Sequence, residues 1–296
     1  MATEIAFIGL GVMGAPMAAN LVKAGFEVTG YNRSPAAVER LAAAGGKAGK
    51  SVADVTRGAD VVITMLPDSP DVEAVVLGAD GVFEHADAGI LYLDMSTIRP
   101  ETTRVISDAA AVRGIRALDA PVSGGEQGAI EGTLSIMVGG DEAAFARAKP
   151  IFEAMGNKER IVHIGRSGAG QLCKICNQIA IGGALAGVSE AFALANKAGV
   201  DAARVRQALL GGFAASRVLE VHGERMLTGN YKPGFRTKLY QKDLRLANEA
   251  AAANGVAIPG TAIVTQLVNA LVAKGGADLD YAAIGTVLFG LTRKSD

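Results

Sequence analysis

The first twenty-three residues constrain the fold more than any other part of the chain. Ile5–Ile8 is a short apolar run typical of a buried strand, and a glycine-rich turn and a helix-like segment from Met13 to Lys23 follow it. In this setting the spacing G-x-G-x-x-G is typical of a dinucleotide-binding turn, with phosphate against the helix N-terminus. An ordinary glycine-rich turn is the alternative. The residues predicted to contact the dinucleotide are Gly9, Leu10, Gly11, Val12, Met13 and Gly14.

The second predicted strand, Phe26–Tyr31, ends at the residues that select the cofactor. A site that prefers NAD places a carboxylate about twenty residues beyond the glycines to bond the ribose 2′-hydroxyl, whereas an arginine accommodates a 2′-phosphate. This chain has Asn32, Arg33 and Ser34 at that point. We therefore expect NADP as the preferred cofactor, with NAD as a possible second. A solvated arginine in a turn is the alternative interpretation.

Strand-like and helix-like segments alternate through the first half of the chain, and this order predicts a parallel sheet with helices on both faces. Ligands bind at the carboxyl ends of such strands, so Leu66, Pro67 and Thr97 are predicted to line the cofactor site. Alternatively these loops are turns, and Ser96 or Thr97 caps a helix that begins near Ile98. The further strands are predicted at Val61–Met65, Ile90–Asp94, Ile115–Leu118, Leu134–Val138 and Ile161–Ile164.

The pattern changes near residue 165, because only helix-like segments follow. This shift predicts a dinucleotide-binding Rossmann domain over residues 1–164 and an all-helical substrate and oligomerisation domain over 165–296. A helix from about Gln171 to Ala198 would be roughly 40 Å long and would join them. The predicted fold class is therefore an α/β Rossmann domain plus an all-α C-terminal domain joined by a long interdomain helix.

Composition excludes several classes of function. The 29 basic and 30 acidic residues give a net charge of −1, which does not favour a nucleic-acid partner. Two apolar stretches, 5–22 and 250–273, are interpreted as protein core and not as membrane spans. Only Cys173 and Cys176 are present, so we expect a cytoplasmic protein without a disulfide framework. These two are interpreted as core cysteines, and no metal site is predicted.

Three polar clusters are candidates for chemistry. In Asp119–Gly125, Ser123 adds a hydroxyl to the backbone N–H groups of Gly124 and Gly125, which suits a substrate carboxylate; a plain loop is the alternative. The second cluster places Lys174, Asn177 and Gln178 on one helix face, where a partly desolvated lysine could serve as a general acid. A solvated helix lysine is the alternative there.

The third cluster extends from Lys232 to Leu244. Lys242 could reach the cofactor or the substrate, and Arg236 could support it. The alternative is that both are surface charges on an exposed helix face.

These motifs, in this order, resemble those of the β-hydroxyacid dehydrogenases over essentially the whole chain. The motifs are Gly9-Leu-Gly-Val-Met-Gly14 with Met17, Asn20 and Leu21; Asp119-Ala-Pro-Val-Ser-Gly-Gly125; Gly168-Ala-Gly with Lys174 and Asn177; and Lys242-Asp-Leu244. The resemblance implies that Lys174 is the proton donor in reduction and that Ser123, Gly124 and Asn177 position the substrate. It also implies that Lys242 meets cofactor or substrate, and that the protein forms homodimers or homotetramers.

Within that family, three segments are most similar to members that reduce tartronate semialdehyde to D-glycerate: Ile63–Pro70, Gly125-Glu126 with Ala129–Ser135, and Lys232–Arg236. Members acting on 3-hydroxyisobutyrate, glyoxylate or succinic semialdehyde are the near alternatives. Gln178 departs from the asparagine of many relatives and leaves substrate orientation open. Related imine reductases lack the lysine. A non-catalytic NADP-binding sensor is the alternative of another class, although a sensor has no need of Lys174.

Overall fold

The structure is a computed structural model that describes residues 2–292 of the 296-residue chain. The chain divides into two compact units, Met1–Lys174 and Ile175–Asp296. The division falls inside one continuous helix, Ala169–Lys197, which links the two units. The predicted fold class, a Rossmann domain and a helical domain joined by a long helix, is confirmed.

The first unit contains nine strands and eight complete helices within its described part. The strands are β1 (Glu4–Ile8), β2 (Glu27–Tyr31), β3 (Lys47–Ala48), β4 (Val61–Thr64), β5 (Leu91–Asp94), β6 (Arg116–Asp119), β7 (Val122–Ser123), β8 (Leu134–Gly140) and β9 (Gly156–Gly165). The helices are α1 (Gly14–Lys23), α2 (Pro35–Ala43), α3 (Val52–Thr56), α4 (Ser69–Leu77), α5 (Val82–His85), α6 (Pro100–Val112), α7 (Gly125–Glu131) and α8 (Glu142–Met155).

All nine strands belong to one sheet, in the order β3-β2-β1-β4-β5-β6-β8-β7, with β9 also paired to β8. The six strands from β3 to β6 are parallel, so their carboxyl ends share one edge of the sheet. The strand β8 is antiparallel to β6 and β7. The expectation of a parallel sheet is therefore wrong for β8 and for β9, which runs parallel to β8, since a buried apolar run carries no sign of its direction.

Alternating residues of the central strands build two apolar cores, one on each face of the sheet. In β1, Ile5 and Phe7 pack with the core formed by α1, α2 and α8, whereas Ala6 and Ile8 pack with the core formed by α4, α5 and α6. All four side chains are at most 2% exposed. Burial on both faces explains why these strands are continuous apolar runs in the sequence.

Helix α6 begins two residues later than expected. Pro100 occupies its first turn and Arg99 is the N-cap residue, because proline's fixed φ suits the first helical position. Ser96 does not cap this helix; its hydroxyl accepts a hydrogen bond from the backbone N–H of Leu66 at 2.8 Å. The alternative interpretation of Ser96 as a helix cap is therefore wrong.

The second unit is helical throughout its described part. Its core is centred on Leu185, Phe192, Tyr240, Leu244 and Val264, which come from three helices. The elements are the rest of α9 (Ala169–Lys197), then α10 (Ala202–Leu209), α11 (Arg217–Thr228), α12 (Thr237–Ala253), α13 (Pro259–Ala273), two short 3-10 helices (Gly276–Asp278 and Tyr281–Ala283) and α14 (Ile284–Thr292).

Helix α9 has 29 residues and a length of about 43 Å. Among residues 2–292 it is the one helix long and apolar enough to cross a membrane by length and composition. Its buried polar residues and its hydrogen bonds to the sheet are instead features of a helix packed inside protein. The buried polar residues are Gln171, Lys174, Gln178 and Ser189.

Candidate active site

The glycine turn after β1 is closed by the protein's own backbone. Gly9 has φ +102°, and a Cβ built there would lie 2.3 Å from the carbonyl oxygen of Met65. A Cβ on Gly14 would lie 1.9 Å from the carbonyl oxygen of Gly9. Any side chain at either position would therefore push the end of β1 away from α1 or β4, which accounts for two of the three glycines.

Gly11 has a different reason to be glycine. A Cβ there would meet nothing within 4 Å among the described residues, and the residue is exposed in the turn three residues before α1 begins. Packing of the protein does not require glycine at this position, whereas close approach of a pyrophosphate to the backbone does. The N-terminus of α1 points the positive end of its dipole at the same place. The turn therefore fits a dinucleotide.

Asn32 lies at the end of β2, beside this turn. Its Oδ1 accepts a hydrogen bond from the backbone N–H of Leu10 at 3.1 Å, and this fixes the amide next to the glycines. Arg33 and Ser34 follow it and are exposed. A neutral amide thus stands where a carboxylate would repel a phosphate, with a cationic side chain adjacent.

The loops after β4 and β5 lie along the same carboxyl edge. Met65 N–H donates to the carbonyl of Ile8, and Leu66 N–H donates to the hydroxyl of Ser96, so the β4 loop is tied to both neighbouring strands. Pro67 is exposed and Thr97 half-buried. The structure therefore brings the predicted cofactor residues of β1, β2, β4 and β5 to one edge of the first unit.

Under the β5 loop lies a buried carboxyl. Asp94 Oδ1 accepts hydrogen bonds from the Thr64 hydroxyl at 2.9 Å and from Ser96 N–H at 3.1 Å. Burial raises the pKa of Asp94 from 3.8 to about 6, although the bonds from Ser96 and Thr64 act in the opposite direction. Within the described part of the chain, Asp94 Oδ2 has no hydrogen-bond partner. By accepting the Ser96 N–H, the Asp94 carboxyl fixes the backbone of Ser96 at the end of β5.

The predicted carboxylate-binding loop begins as a strand. Ser123 ends β7, which pairs antiparallel with β8 opposite Ser135. Gly124 and Gly125 then have φ values of +141° and +63°, conformations that favour glycine, and α7 begins at Gly125. The amide of Asn20 on α1 donates to the carbonyl of Ala129 at 2.8 Å. The helix of the glycine turn is thereby bonded to the helix that follows this loop.

The first turn of α9 is bonded to the carboxyl ends of β5 and β6. Asp119 ends β6, and its two carboxylate oxygens accept from the N–H groups of Gly168 and Gln171, each at 2.8 Å. The Gln171 amide bonds the backbone of Ser96 and Ile98. Lys174 lies one turn further along this helix and is 7% exposed, so it is not the solvated lysine of the alternative interpretation.

In the second unit, a chain of polar side chains joins α9 to α12. Asn177 Nδ2 donates to Gln178 Oε1 at 2.8 Å, and Gln178 Nε2 donates to Asp243 Oδ2 at 2.5 Å. Lys242 forms an ion pair with Asp243 at 3.0 Å, and its side chain is 13% exposed. Tyr240 OH donates to the carbonyl of Gln178 at 3.0 Å. Asn177 and Lys242, predicted separately, therefore belong to one network.

Two other interpretations are decided by exposure. Lys242 is not a surface charge, but Arg236 is: it pairs with Asp278 at 2.9 Å and both side chains are largely exposed. Cys176 is exposed and Cys173 half-buried. The interpretation of both as core cysteines is wrong for Cys176, because the predicted helix face buries Lys174 and Gln178 and turns Cys176 outward.

Sequence reasoning gave no role to three polar residues that organise the candidate site: Asp119, Gln171 and Asp243. All three are at most 2% exposed. The signal that could have identified them is a charged or amide side chain within an apolar run, since such groups are buried only with partners. Asp119 was quoted as part of a motif without a role of its own.

The site defines the class of nicotinamide-dinucleotide-dependent oxidoreductases with a Rossmann domain. Three features are decisive: the parallel strands, the glycine turn that fits a pyrophosphate, and the buried lysine on a helix bonded to the same edge of the sheet.

Comparisons with known proteins narrow the class. Residues 4–165 match the model of the NAD binding domain of 6-phosphogluconate dehydrogenase, and residues 168–288 match that of the NAD-binding domain of NADP-dependent 3-hydroxyisobutyrate dehydrogenase. The chain is 47% identical to 2-hydroxy-3-oxopropionate reductase of Escherichia coli (strain K12), over 95% of each chain. It is 42% identical to NAD-dependent L-serine dehydrogenase of Pseudomonas aeruginosa, over 95% of this chain and 96% of that one.

Among solved structures, 3-hydroxyisobutyrate dehydrogenase of Mycobacterium tuberculosis with L-serine is similar, with a TM-score of 0.88 and 39% identity. The match covers 97% of this chain and 99% of that one. The chain therefore belongs to the β-hydroxyacid dehydrogenase family, which includes 3-hydroxyisobutyrate dehydrogenase and 2-hydroxy-3-oxopropionate reductase, and it is an NAD(P)-dependent enzyme. The family resemblance predicted from the motifs is confirmed.

Proposed function

We propose that this enzyme reduces tartronate semialdehyde (2-hydroxy-3-oxopropionate) reversibly to D-glycerate, with NADPH as the preferred cofactor. The observation that carries the proposal is the 47% identity, over 95% of the chain, with the reductase of that substrate from Escherichia coli. A small aldehyde that also bears a carboxylate suits a site with both an anion-binding loop and a buried lysine.

The residues of the glycine turn, with Leu66, Pro67 and Thr97, would hold the dinucleotide, which when bound supplies the hydride. The Ser123 hydroxyl and the N–H groups of Gly124 and Gly125 bind the substrate carboxylate. Lys174 donates a proton to the aldehyde oxygen as negative charge develops on it. Asn177 and Lys242 orient the substrate, and the bonds of their network to Gln178 and Asp243 hold both side chains in place.

The substrate is tested by steady-state kcat/KM for tartronate semialdehyde, methylmalonate semialdehyde, glyoxylate and succinic semialdehyde, and for oxidation of L-serine. We expect a preference of at least about tenfold for tartronate semialdehyde, which corresponds to one net hydrogen bond of about 1.4 kcal/mol. L-serine is included because a relative 42% identical oxidises it. A higher kcat/KM for any competitor would overturn this choice and leave the family assignment intact.

The role of Lys174 is tested by Lys174→Ala. Loss of a general acid lowers kcat about 10²- to 10⁴-fold, while NADPH affinity should stay nearly unchanged. Lys149→Ala on α8 is the matched control, because Lys149 is an exposed lysine of the same unit. Turnover by Lys174→Ala equal to that of the control would remove the mechanism. NADPH binding without turnover of any of these substrates by the wild type would instead favour the alternative of an NADP-binding sensor.

The preference for NADPH is tested at Arg33. Removing a cation that bonds the 2′-phosphate should weaken NADPH binding about 10- to 100-fold, the value of a charge-assisted hydrogen bond. NADH carries no such phosphate, so its Kd should change less than about threefold. Arg40→Ala, an exposed arginine on α2, is the control. Equal losses for both cofactors would refute the proposed role of Arg33.

We further propose that the protein works as a cytoplasmic homodimer or homotetramer without nucleic-acid or membrane partners. Support comes from an exposed stripe of α9, where Ala180, Gly183, Gly187 and Leu194 recur at helical spacing and Leu194 is 71% exposed. Small residues on such a stripe allow close packing against a second copy. Light scattering should give a dimer or tetramer mass, and Gly187→Glu should lower it; a monomeric wild type would contradict the proposal.

A further inference from the structure

The carboxylate of Asp119 lies under the first turn of the helix that carries Lys174. We propose that Asp119 is a positioning residue for Lys174: by bonding the first turn of α9 to the end of β6, it fixes where the lysine ammonium stands above the sheet edge. The proposal rests on the role of Lys174 stated above. Asp119 itself is not assigned any contact with substrate or cofactor.

The two oxygens of the Asp119 carboxylate serve two different backbone groups. Oδ1 accepts from Gly168 N–H at 2.8 Å, and Oδ2 accepts from Gln171 N–H at 2.8 Å. A carboxylate that accepts one bond on each oxygen is held against both translation and rotation. Because Gln171 is three residues before Lys174, any shift of this turn is transmitted to the lysine by a rigid helix.

Gln171 provides a second bond to the sheet. Its Oε1 accepts from Ile98 N–H at 3.1 Å, and its Nε2 donates to the Ser96 carbonyl at 2.8 Å. These residues follow β5, whereas Asp119 ends β6, so the helix start is fixed to two adjacent strands. Asp119 and Gln171 are 1% and 0% exposed, and water therefore does not compete for these bonds.

Glycines bring the helix close enough for these bonds to form. A Cβ on Gly139 of β8 would lie 2.5 Å from Asp119 Oδ1 and 2.8 Å from the backbone nitrogen of Gly170. A Cβ on Gly170 would lie 2.4 Å from the Met137 carbonyl oxygen and 2.9 Å from Asp119 Oδ2. The backbone at the start of α9 thus contacts the backbone of the sheet directly. No side chain lies between them that could change its conformation to absorb a shift.

The proposed substrate loop has its own supports, separate from the Asp119 side chain. Pro121 accepts from Met137 N–H at 3.1 Å, and Val122 pairs with Ile136 in the β7–β8 ladder. Changing the Asp119 side chain therefore disturbs α9 more than the loop at Ser123–Gly125. This separation predicts an effect on kcat with little effect on KM.

Asp119→Asn is the test, because it keeps the size of the side chain. An amide can still accept one of the two bonds, but its NH2 group faces the other N–H donor. We expect kcat to fall about 10- to 100-fold, the effect of a displacement of about 1 Å at a reacting group. KM and the Kd of NADPH should stay within about threefold. Asp141→Asn is the matched control: Asp141 accepts from Ala144 N–H at 2.9 Å at the start of α8, away from Lys174.

A double-mutant cycle separates positioning from general destabilisation. If Asp119 acts through Lys174, Asp119→Asn should change the residual kcat of Lys174→Ala by less than about twofold. The same loss in both backgrounds would overturn the proposal, as would a raised KM with unchanged kcat. If Asp119→Asn does not fold, Asp119→Ser, which removes the carboxylate and leaves a smaller hydroxyl, gives the same cycle. Failure of the proposed function is distinct, since it appears as full activity in Lys174→Ala alone.

Discussion

The buried carboxyl of Asp94 should make the stability of the protein depend on pH with a sign opposite to that of most aspartates. Its pKa is raised by burial to about 6, so the folded protein holds the proton more tightly than the unfolded chain does. The corresponding stabilisation is fully present below about pH 4 and is lost as the pH rises through about 6. Replacement of Asp94 by asparagine removes this titration and keeps the size and shape of the side chain.

The size of the effect follows from the shift. A rise from 3.8 to about 6 corresponds to about 3 kcal/mol at about 1.36 kcal/mol per pKa unit. About 2 kcal/mol of this is lost between pH 4.5 and pH 8, because an unfolded aspartate is already mostly ionised at the lower pH. Relative to the wild type, the free energy of unfolding of Asp94→Asn should therefore be about 2 kcal/mol more favourable to the folded state at pH 8 than at pH 4.5. An asparagine NH2 would face the cavity that Thr103 also lines.

The assay is urea unfolding followed by circular dichroism at pH 4.5 and pH 8, since the chain has no tryptophan. With a slope of about 3 kcal/mol/M, the difference in midpoint between variant and wild type should change by about 0.7 M between the two conditions. Asp80→Asn, which removes an exposed carboxyl of the same unit, is the control. If the Asp94→Asn difference is the same at both pH values, burial does not control this carboxyl and the reasoning fails.

Two further predictions test other parts of the structure. Gly14→Ala should abolish binding of NADPH, measured by calorimetry, and lower the Tm, because its Cβ would overlap the Gly9 carbonyl oxygen; near-normal Kd would refute the closed turn. Burial acts to raise the pKa of Asp280, but the His222 imidazole at 3.7 Å, hydrogen bonds from the N–H groups of Ala282 and Phe235 and the charge of Arg225 outweigh it and lower the pKa. Asp280→Asn should therefore cost about 1 to 3 kcal/mol in urea unfolding at pH 7 and less as the pH falls through the lowered pKa; an equal cost at low pH would contradict this.

The parts of the fold that could be predicted from sequence are those with local signals. The strand before Gly9, the turn and the helix after it lie within about twenty residues, and each carries its own pattern. The long helix α9 was predictable because one largely apolar segment runs through Lys174 without a proline. Pro100 was also a local signal, and it would have placed the start of α6 correctly.

The remaining features depend on residues far apart in the chain. The carboxylate of Asp119 bonds Gly168, 49 residues later, and Gln178 bonds Asp243, 65 residues later. No periodicity or spacing reports such contacts. The direction of β8 was hidden for a related reason, since its pairing with β6 consists of Leu118 with Gly140 and Asp119 with Gly139, at the very end of each strand. The sequence therefore indicated candidate side chains for the reaction, whereas the contacts that position them are visible only in the tertiary structure.

The closure of the nucleotide turn has a consequence for the thermodynamics of cofactor binding. Gly9 N–H donates to the Tyr31 carbonyl at 3.0 Å, and a Cβ at Gly9 or Gly14 would meet a backbone oxygen, so the turn is packed against the protein's own backbone. We expect it to have the same shape with and without the cofactor. A ligand that binds a preformed site loses its own translational, rotational and conformational entropy, but the protein loop does not lose conformational entropy as well. Exchange of oxidised for reduced cofactor at this turn therefore requires no ordering of the loop. The entropy lost on binding is mainly that of the cofactor.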